Sequence, residues 1–97
     1  ELCTDVFKGA KVVNDSIKLC VKNGETHHAV DEGVIKVEEI YAEIGDIILG
    51  KKPGRENDDE ITIFDTVGMA IQDNVTAVSL YNMAVKKGLG VKYDFLK

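Results

Sequence analysis

No run of apolar residues in this sequence approaches the ~18 needed to cross a bilayer. No basic-then-apolar leader stands before its first element, so the expectation is a cytoplasmic protein with no membrane partner. Cysteine is scarce: Cys3 and Cys20 are the two present, and they lack CxxC spacing. The histidines, His27 and His28, are adjacent rather than at the i, i+4 spacing of a helical metal pair. Disulfide and zinc frameworks are thereby disfavoured, no metal is expected, and free thiols in a reducing compartment are the default reading. Basic residues are also in deficit, the formal charge being −5. That balance argues against nucleic acid and acidic membranes as partners, since both need a basic face. There is no nucleophile elbow and no legible Ser/His/Asp arrangement. A glycine-rich dinucleotide fingerprint is absent too. The chain opens on Glu1 rather than methionine, which suggests a piece of something longer.

What is present is ordinary for a globular chain: 44% hydrophobic and 30% charged residues in 97 positions. A chain of that length makes at most one small domain, burying somewhat more than ~60% of its unfolded surface. The organising stretch is Asp59 to Asp73. Ile61 to Phe64 has the β-branched and aromatic composition of a buried strand. Asp65 and Thr66 follow as candidate helix caps, then Gly68, then apolar residues at helical spacing from about Val67 to Lys87. Strand, tight turn and helix start make half of a βαβ unit. In parallel α/β sheets ligands bind outside the carboxyl ends of the strands, so Thr66 to Gly68 is where a small molecule is expected to touch the chain.

The remaining elements read in order. Leu2, Val6 and Phe7 fit one or two helical turns ended by Gly9. Lys11 to Asp15 reads as a short strand, and Ser16 to Val21 as a helix start broken by Asn23-Gly24. A second short helix runs from about Glu25 to Asp31, with His27 and His28 split between core and surface. Val34 to Lys36 reads as extended. Val37, Ile40, Tyr41, Ile44, Ile47 and Ile48 recur at i, i+3, i+4, i+7, which predicts one amphipathic helix stopped by Gly50. The polar stretch from Gly50 to Asp59 holds the sole proline, Pro53. It reads as a solvated connection, with Lys52 or Arg55 meeting a phosphate or carboxylate as the alternative. The last helix is apolar round most of its circumference, which predicts burial on more than one side. Val91 to Lys97 is a tail that either adds an edge strand or frays.

The chemistry visible in spacing is thin. Glu56 to Glu60 lacks the alternating ligands and central glycine of a calcium loop and reads as a surface charge run. Two strand-to-helix junctions remain, at Asn14-Asp15-Ser16 and Asp65-Thr66-Val67-Gly68. Both fall on the same edge of a parallel sheet if the crossovers are right-handed. Capped helices without a ligand satisfy that pattern equally well.

Three segments taken together carry a resemblance. Ala42-Glu43-Ile44-Gly45-Asp46, then Gly50-Lys51-Lys52-Pro53-Gly54-Arg55, then Ile61 to Asp73 with its Phe64-Asp65-Thr66-Val67-Gly68 resemble the C-terminal part of the ornithine cyclodeaminase/mu-crystallin family. Lys11 to Ser16 and His27-His28-Ala29 resemble the family's preceding strand and helices. The resemblance implies an α/β fold, the C-terminal portion of a Rossmann-type parallel sheet with flanking helices, truncated here. Residues 1–66 would be the last part of the dinucleotide-binding domain. Residues 67–97 would be a long helix and tail returning toward a dimerisation and substrate domain.

The resemblance further implies NAD, with NADP possible, as cofactor. It implies conversion of L-ornithine to L-proline and ammonia through an imine with recycled NAD, in a homodimer. An imine reductase, an alanine dehydrogenase, or a non-catalytic ligand-binding module of the mu-crystallin type is the alternative, the partner then being an amino acid or cyclic imine. Carried over by position, Thr66 is the cofactor-binding residue and Val67 the substrate-binding one, Thr66 replacing the family's more usual serine. The family's catalytic aspartate would lie just before Glu1, so no catalytic residue is assigned here. The 97 residues alone are expected to be inactive without the N-terminal portion.

Overall fold

The computed structural model describes residues 1–96. They divide into two compact units, Glu1–Val67 and a second beginning at Gly68. The first unit is built on three parallel strands: β1 (Lys11–Asn14), β2 (Ala42–Glu43) and β3 (Thr62–Asp65), in the order β2-β1-β3. β1 is central. Val13 pairs with Ala42 on one side, while Lys11 to Asn14 pair in register with Thr62 to Asp65 on the other.

Side chains alternate across a strand, so this register puts Val12, Asn14, Ile63 and Asp65 on one face. That face is the covered one. Phe7, Val12, Ala29, Ile35, Ile40 and Ile63 form its apolar core, with Ile17, Val21 and Val30 packed against it. Burying a side chain such as Phe7 stabilises by about 1.5–3 kcal/mol, so this small cluster carries much of the unit's cohesion. The cover comes from a 3₁₀ turn at Thr4–Phe7 and two short helices, α1 (Ile17–Cys20) and α2 (Glu25–Asp31). The opposite face, with Lys11, Val13, Thr62 and Phe64, meets Ile44 and Ile47 of α3 (Ile44–Ile48) around an open hollow of about 260 Å³.

One expectation fails here. Val37 to Ile48 is not a single helix but a 3₁₀ turn at Val37–Glu39, then β2, then the five-residue α3. The amide of Tyr41 donates to the Val12 carbonyl at 2.9 Å, committing the chain to pair with β1. Ile40 and Ala42 are buried from an extended backbone. In the segment read as extended, Lys36 is extended, while the amides of Val34 and Ile35 both close back on the Ala29 carbonyl in α2. His27 is half-buried and bonded through Nδ1 to the Val21 carbonyl at 3.0 Å, and His28 is exposed.

The second unit is dominated by α4 (Ala70–Lys87). It starts three residues later than the spacing predicts, with Met69 at its N-cap in extended conformation. The N-cap position falls to Met69 rather than to Asp65 or Thr66. Its C-terminus closes on Gly88 at φ 66°, with the Leu89 amide donating to the Ala84 carbonyl, and Lys86 and Lys87 lie in its last turn where the helix dipole favours cations. No residue of α4 is buried within the described chain, and the expected cover on more than one side would come from another domain or subunit. Residues 91–96 form no strand. No helix among the described residues is long and apolar enough to cross a membrane.

Candidate functional site

Three parallel strands end at one edge, and each delivers an acid there. Asp15 follows β1, Glu43 ends β2, and Asp65 ends β3. Each carboxylate accepts a backbone amide at the start of a helix. Asp15 Oδ1 takes the Ser16 N–H at 2.8 Å, and Glu43 Oε1 takes the Ile17 N–H at 2.9 Å. Asp65 Oδ2 takes the Thr26 N–H, also at 2.9 Å. The last bond explains where the predicted cap went. The N-cap of α2 is Gly24, which has no side chain to cap with, and Asp65 takes that role instead. Acids at helix starts are favoured by the dipole and satisfy amides that would otherwise be orphaned.

Beneath this edge lies a buried polar layer. Asn14 is fully buried, and its Nδ2 donates to Thr26 Oγ1 at 3.0 Å and more weakly to the carbonyls of Val13 and Asp65. Its Oδ1 is buried without a hydrogen-bond partner. Cys20, also fully buried, donates from Sγ to Asp15 Oδ1 at 3.3 Å. Burial, seconded by that hydrogen bond to Asp15, pushes its thiol up to about 11. A thiol so held is a structural group rather than a nucleophile.

Above the layer sits the bend that the sequence singled out. The Thr66 hydroxyl donates to Asp15 Oδ2 at 2.5 Å, and the Val67 amide donates to Asp15 Oδ1 at 3.4 Å. Asp15 therefore ties the two junctions together across a sequence separation of 51 residues. Thr66 is exposed and Val67 half-exposed. Val67 rests on the bare α-carbon of Gly24: a Cβ there would sit 3.1 Å from Val67 Cγ1 and 3.4 Å from Asp65 Oδ2. Both expected site residues thus stand on the carboxyl edge of the sheet. Sequence reasoning read Asn14 and Asp15 as cap-forming residues without linking Asp15 to Thr66, and read Gly24 only as a helix break. An acid directly after an apolar strand, repeated at Asp65, was the available signal.

The chemistry of this edge is selective. Three amides at its helix starts, those of Ser16, Ile17 and Thr26, are already occupied by carboxylates, and the acids repel a phosphate. A neutral or cationic polar group meets no such penalty. The basic residues considered as phosphate contacts are engaged within the chain. Lys52 Nζ bonds the Tyr41 carbonyl at 2.6 Å, and Arg55 bonds Thr62 Oγ1 and the Asp58 carbonyl. Lys11 bridges Glu56 and Glu60 at 2.6 and 2.7 Å. These contacts fasten the 50–59 connection to the sheet. The 260 Å³ hollow lies on the sheet face, and neither Thr66 nor Val67 lines it. Among the described residues no cluster of three or more histidines, cysteines or acids could hold a metal.

Known proteins resemble this chain over nearly all of its length. The alanine dehydrogenase of Archaeoglobus fulgidus is 45% identical over 97 residues, covering 100% of this chain and 30% of that protein. The solved structure of an archaeal alanine dehydrogenase dimer with bound NAD superposes with a TM-score of 0.82 at 46% identity, over 98% of this chain and 30% of that one. The Thermococcus litoralis Δ1-pyrroline-2-carboxylate reductase, solved with NADH and L-proline, gives a TM-score of 0.84 at 38% identity, over 96% of this chain and 29% of that one. The chain therefore spans about 30% of the length of the relatives it matches. Its parallel sheet with flanking helices is a portion of their Rossmann-type α/β fold. A profile of one family matches residues 1–88, and on that match the chain belongs to the ornithine cyclodeaminase/mu-crystallin family.

Proposed function

We propose that this chain forms the nicotinamide-facing part of an NAD(H)-dependent enzyme that works at the α-carbon of an amino acid or a cyclic imine. The observation that carries the reading is the Asp15–Thr66 tie at the carboxyl edge of the sheet. It presents a fixed hydroxyl, and beside it the aliphatic Val67, on an edge whose acids reject phosphate. A carboxamide-bearing, cationic or neutral ring suits those groups; a pyrophosphate does not. Relatives solved with NAD, and with NADH and L-proline, support the same assignment.

In this reading Thr66 binds the cofactor and Val67 bounds the substrate. A nicotinamide bound there supplies hydride acceptance and return at the substrate's α-carbon. Thr66 orients its carboxamide, and Val67, held against Gly24, keeps an apolar wall where the reacting carbon lies and excludes water from it. Residues 1–66 act as the last part of the dinucleotide-binding domain. Residues 67–97 carry the chain toward a dimerisation and substrate domain, and the working form is a homodimer. Groups that move protons at the substrate come from the parts of such a protein outside the matched 30%.

Two relatives carry dehydrogenase and reductase names, which favours net oxidation or reduction over ornithine cyclisation. The test is to supply the full-length protein with NAD+ and, separately, L-alanine, L-proline and L-ornithine. NADH accumulating with alanine or proline is the expected result. Proline forming from ornithine without net NADH would instead identify a cyclodeaminase. No turnover of any of the three, with NADH failing to bind, would refute the proposal.

A further inference from the structure

We infer that Asp15 is a positioning residue that fixes the polarity of the Thr66 hydroxyl, so that this hydroxyl meets its ligand only as a hydrogen-bond acceptor. The inference rests on the reading that Thr66 faces the nicotinamide end of the cofactor. A threonine hydroxyl has one proton and two acceptor lone pairs. Here the proton is committed: Oγ1 donates to Asp15 Oδ2 at 2.5 Å. A carboxylate has no proton to return, so the direction is not reversible while Asp15 is ionised. Asp15 itself cannot turn away. Its Oδ1 holds the Ser16 amide at 2.8 Å, the Cys20 thiol at 3.3 Å and the Val67 amide at 3.4 Å, and the residue is only 5% exposed.

The consequence is a preference among dinucleotides. A carboxamide N–H can donate to Thr66. A ring carrying an acetyl group in that place has only an acceptor, and two acceptors would face each other. Asp15 thereby makes the bend selective for an amide donor. Asp15→Asn supplies the inversion. Its carbonyl can keep the contacts of Oδ1, while its amide donates to Thr66 Oγ1 and frees the threonine proton to point at the ligand.

The experiment measures the dissociation constants of NADH and of reduced 3-acetylpyridine adenine dinucleotide by fluorescence titration of the full-length protein. The wild type is expected to favour NADH by roughly threefold to tenfold, the range of one hydrogen bond. Thr66→Val should weaken NADH and erase most of that preference, and Thr66→Ser should retain it. Asp15→Asn should reverse it, whereas general loosening of the bend would only bring the two affinities together, and that outcome also overturns the inference. A wild-type protein with no preference, or a preference that survives Thr66→Val, overturns the inference without any Asp15 variant. So does an Asp15→Asn protein that binds both dinucleotides in the wild-type ratio. If Thr66→Val leaves NADH binding untouched, the placement of Thr66 at the cofactor falls, and this inference with it.

Discussion

Replacing Gly24 with alanine should damage the site from beneath. Gly24 has φ 87° and ψ −163°, a conformation that essentially only glycine adopts. Forcing an L-residue there costs about 1–3 kcal/mol. The new methyl would also stand 3.1 Å from Val67 Cγ1 and 3.4 and 3.5 Å from the Asp65 carboxylate oxygens. Relieving that contact means moving Val67 or loosening the Asp65–Thr26 cap, for which overpacking of about 1–3 kcal/mol is a fair scale. Together the two effects give about 2–6 kcal/mol, a large part of a small protein's stability. In urea, where slopes are ~1–3 kcal/mol per molar, the unfolding midpoint should fall by at least about 0.7 M. Gly9→Ala is the control. Its φ is 72° but nothing lies within 4 Å of the added methyl, so only the ~1–2 kcal/mol left-handed penalty applies. Equal losses in the two variants, or a Gly24→Ala midpoint within experimental error of wild type, would refute the claim that Val67 is seated on Gly24.

Other outcomes follow from the same geometry. Cys3 is exposed and Cys20 buried with its thiol pushed to about 11, so iodoacetamide at pH 8 should label Cys3 and spare Cys20; equal labelling would contradict the burial. Lys11 is raised above 10.5, by the hydrogen bonds to Glu56 and then Glu60, so its contribution to stability is complete below 10.5 and lost as pH climbs through its folded value. Glu60 is lowered from 4.5, chiefly by Lys11, so its contribution is complete above 4.5 and lost as pH falls through its folded value. Lys11→Met should flatten both limbs of a plot of unfolding midpoint against pH; an unchanged profile would show these bridges to be inert. Thr66→Val in the full-length protein should weaken NADH binding by roughly 0.5–1.5 kcal/mol. Val67→Asp should reduce turnover further than Thr66→Val does, by placing a carboxylate beside the reacting carbon. Comparable activity in the two variants would remove Val67 from the substrate wall.

The sequence disclosed the pieces better than their partnerships. Lys11 to Asp15 and Ile61 to Phe64 announce strands because β-branched residues cluster between polar punctuation, and both are strands within a residue. Glu25 to Asp31 is the helix that its neighbours Gly24 and Gly33 delimit. Val37 to Ile48 misleads because its apolar spacing is real but reports buried faces of three successive pieces. The pairing of β2 with β1 outweighs local helical preference, and such pairing depends on a strand nearly thirty residues away. Asp65 and Thr66 were legible as capping types, but not which amide or carboxylate each would meet. Thr26 lies 39 residues from Asp65, and Asp15 lies 51 from Thr66. Only the parallel register of β1 and β3, which sets Asn14 beside Asp65, brings those groups to one edge.

The most direct measurement is a crystal structure of the full-length protein with NADH and a bound amino acid. The account predicts the nicotinamide carboxamide nitrogen within hydrogen-bond distance of Thr66 Oγ1, with that hydroxyl still on Asp15 and Val67 against the substrate. A nicotinamide lying away from this edge, or a pyrophosphate seated on the starts of α1 and α2, would contradict it.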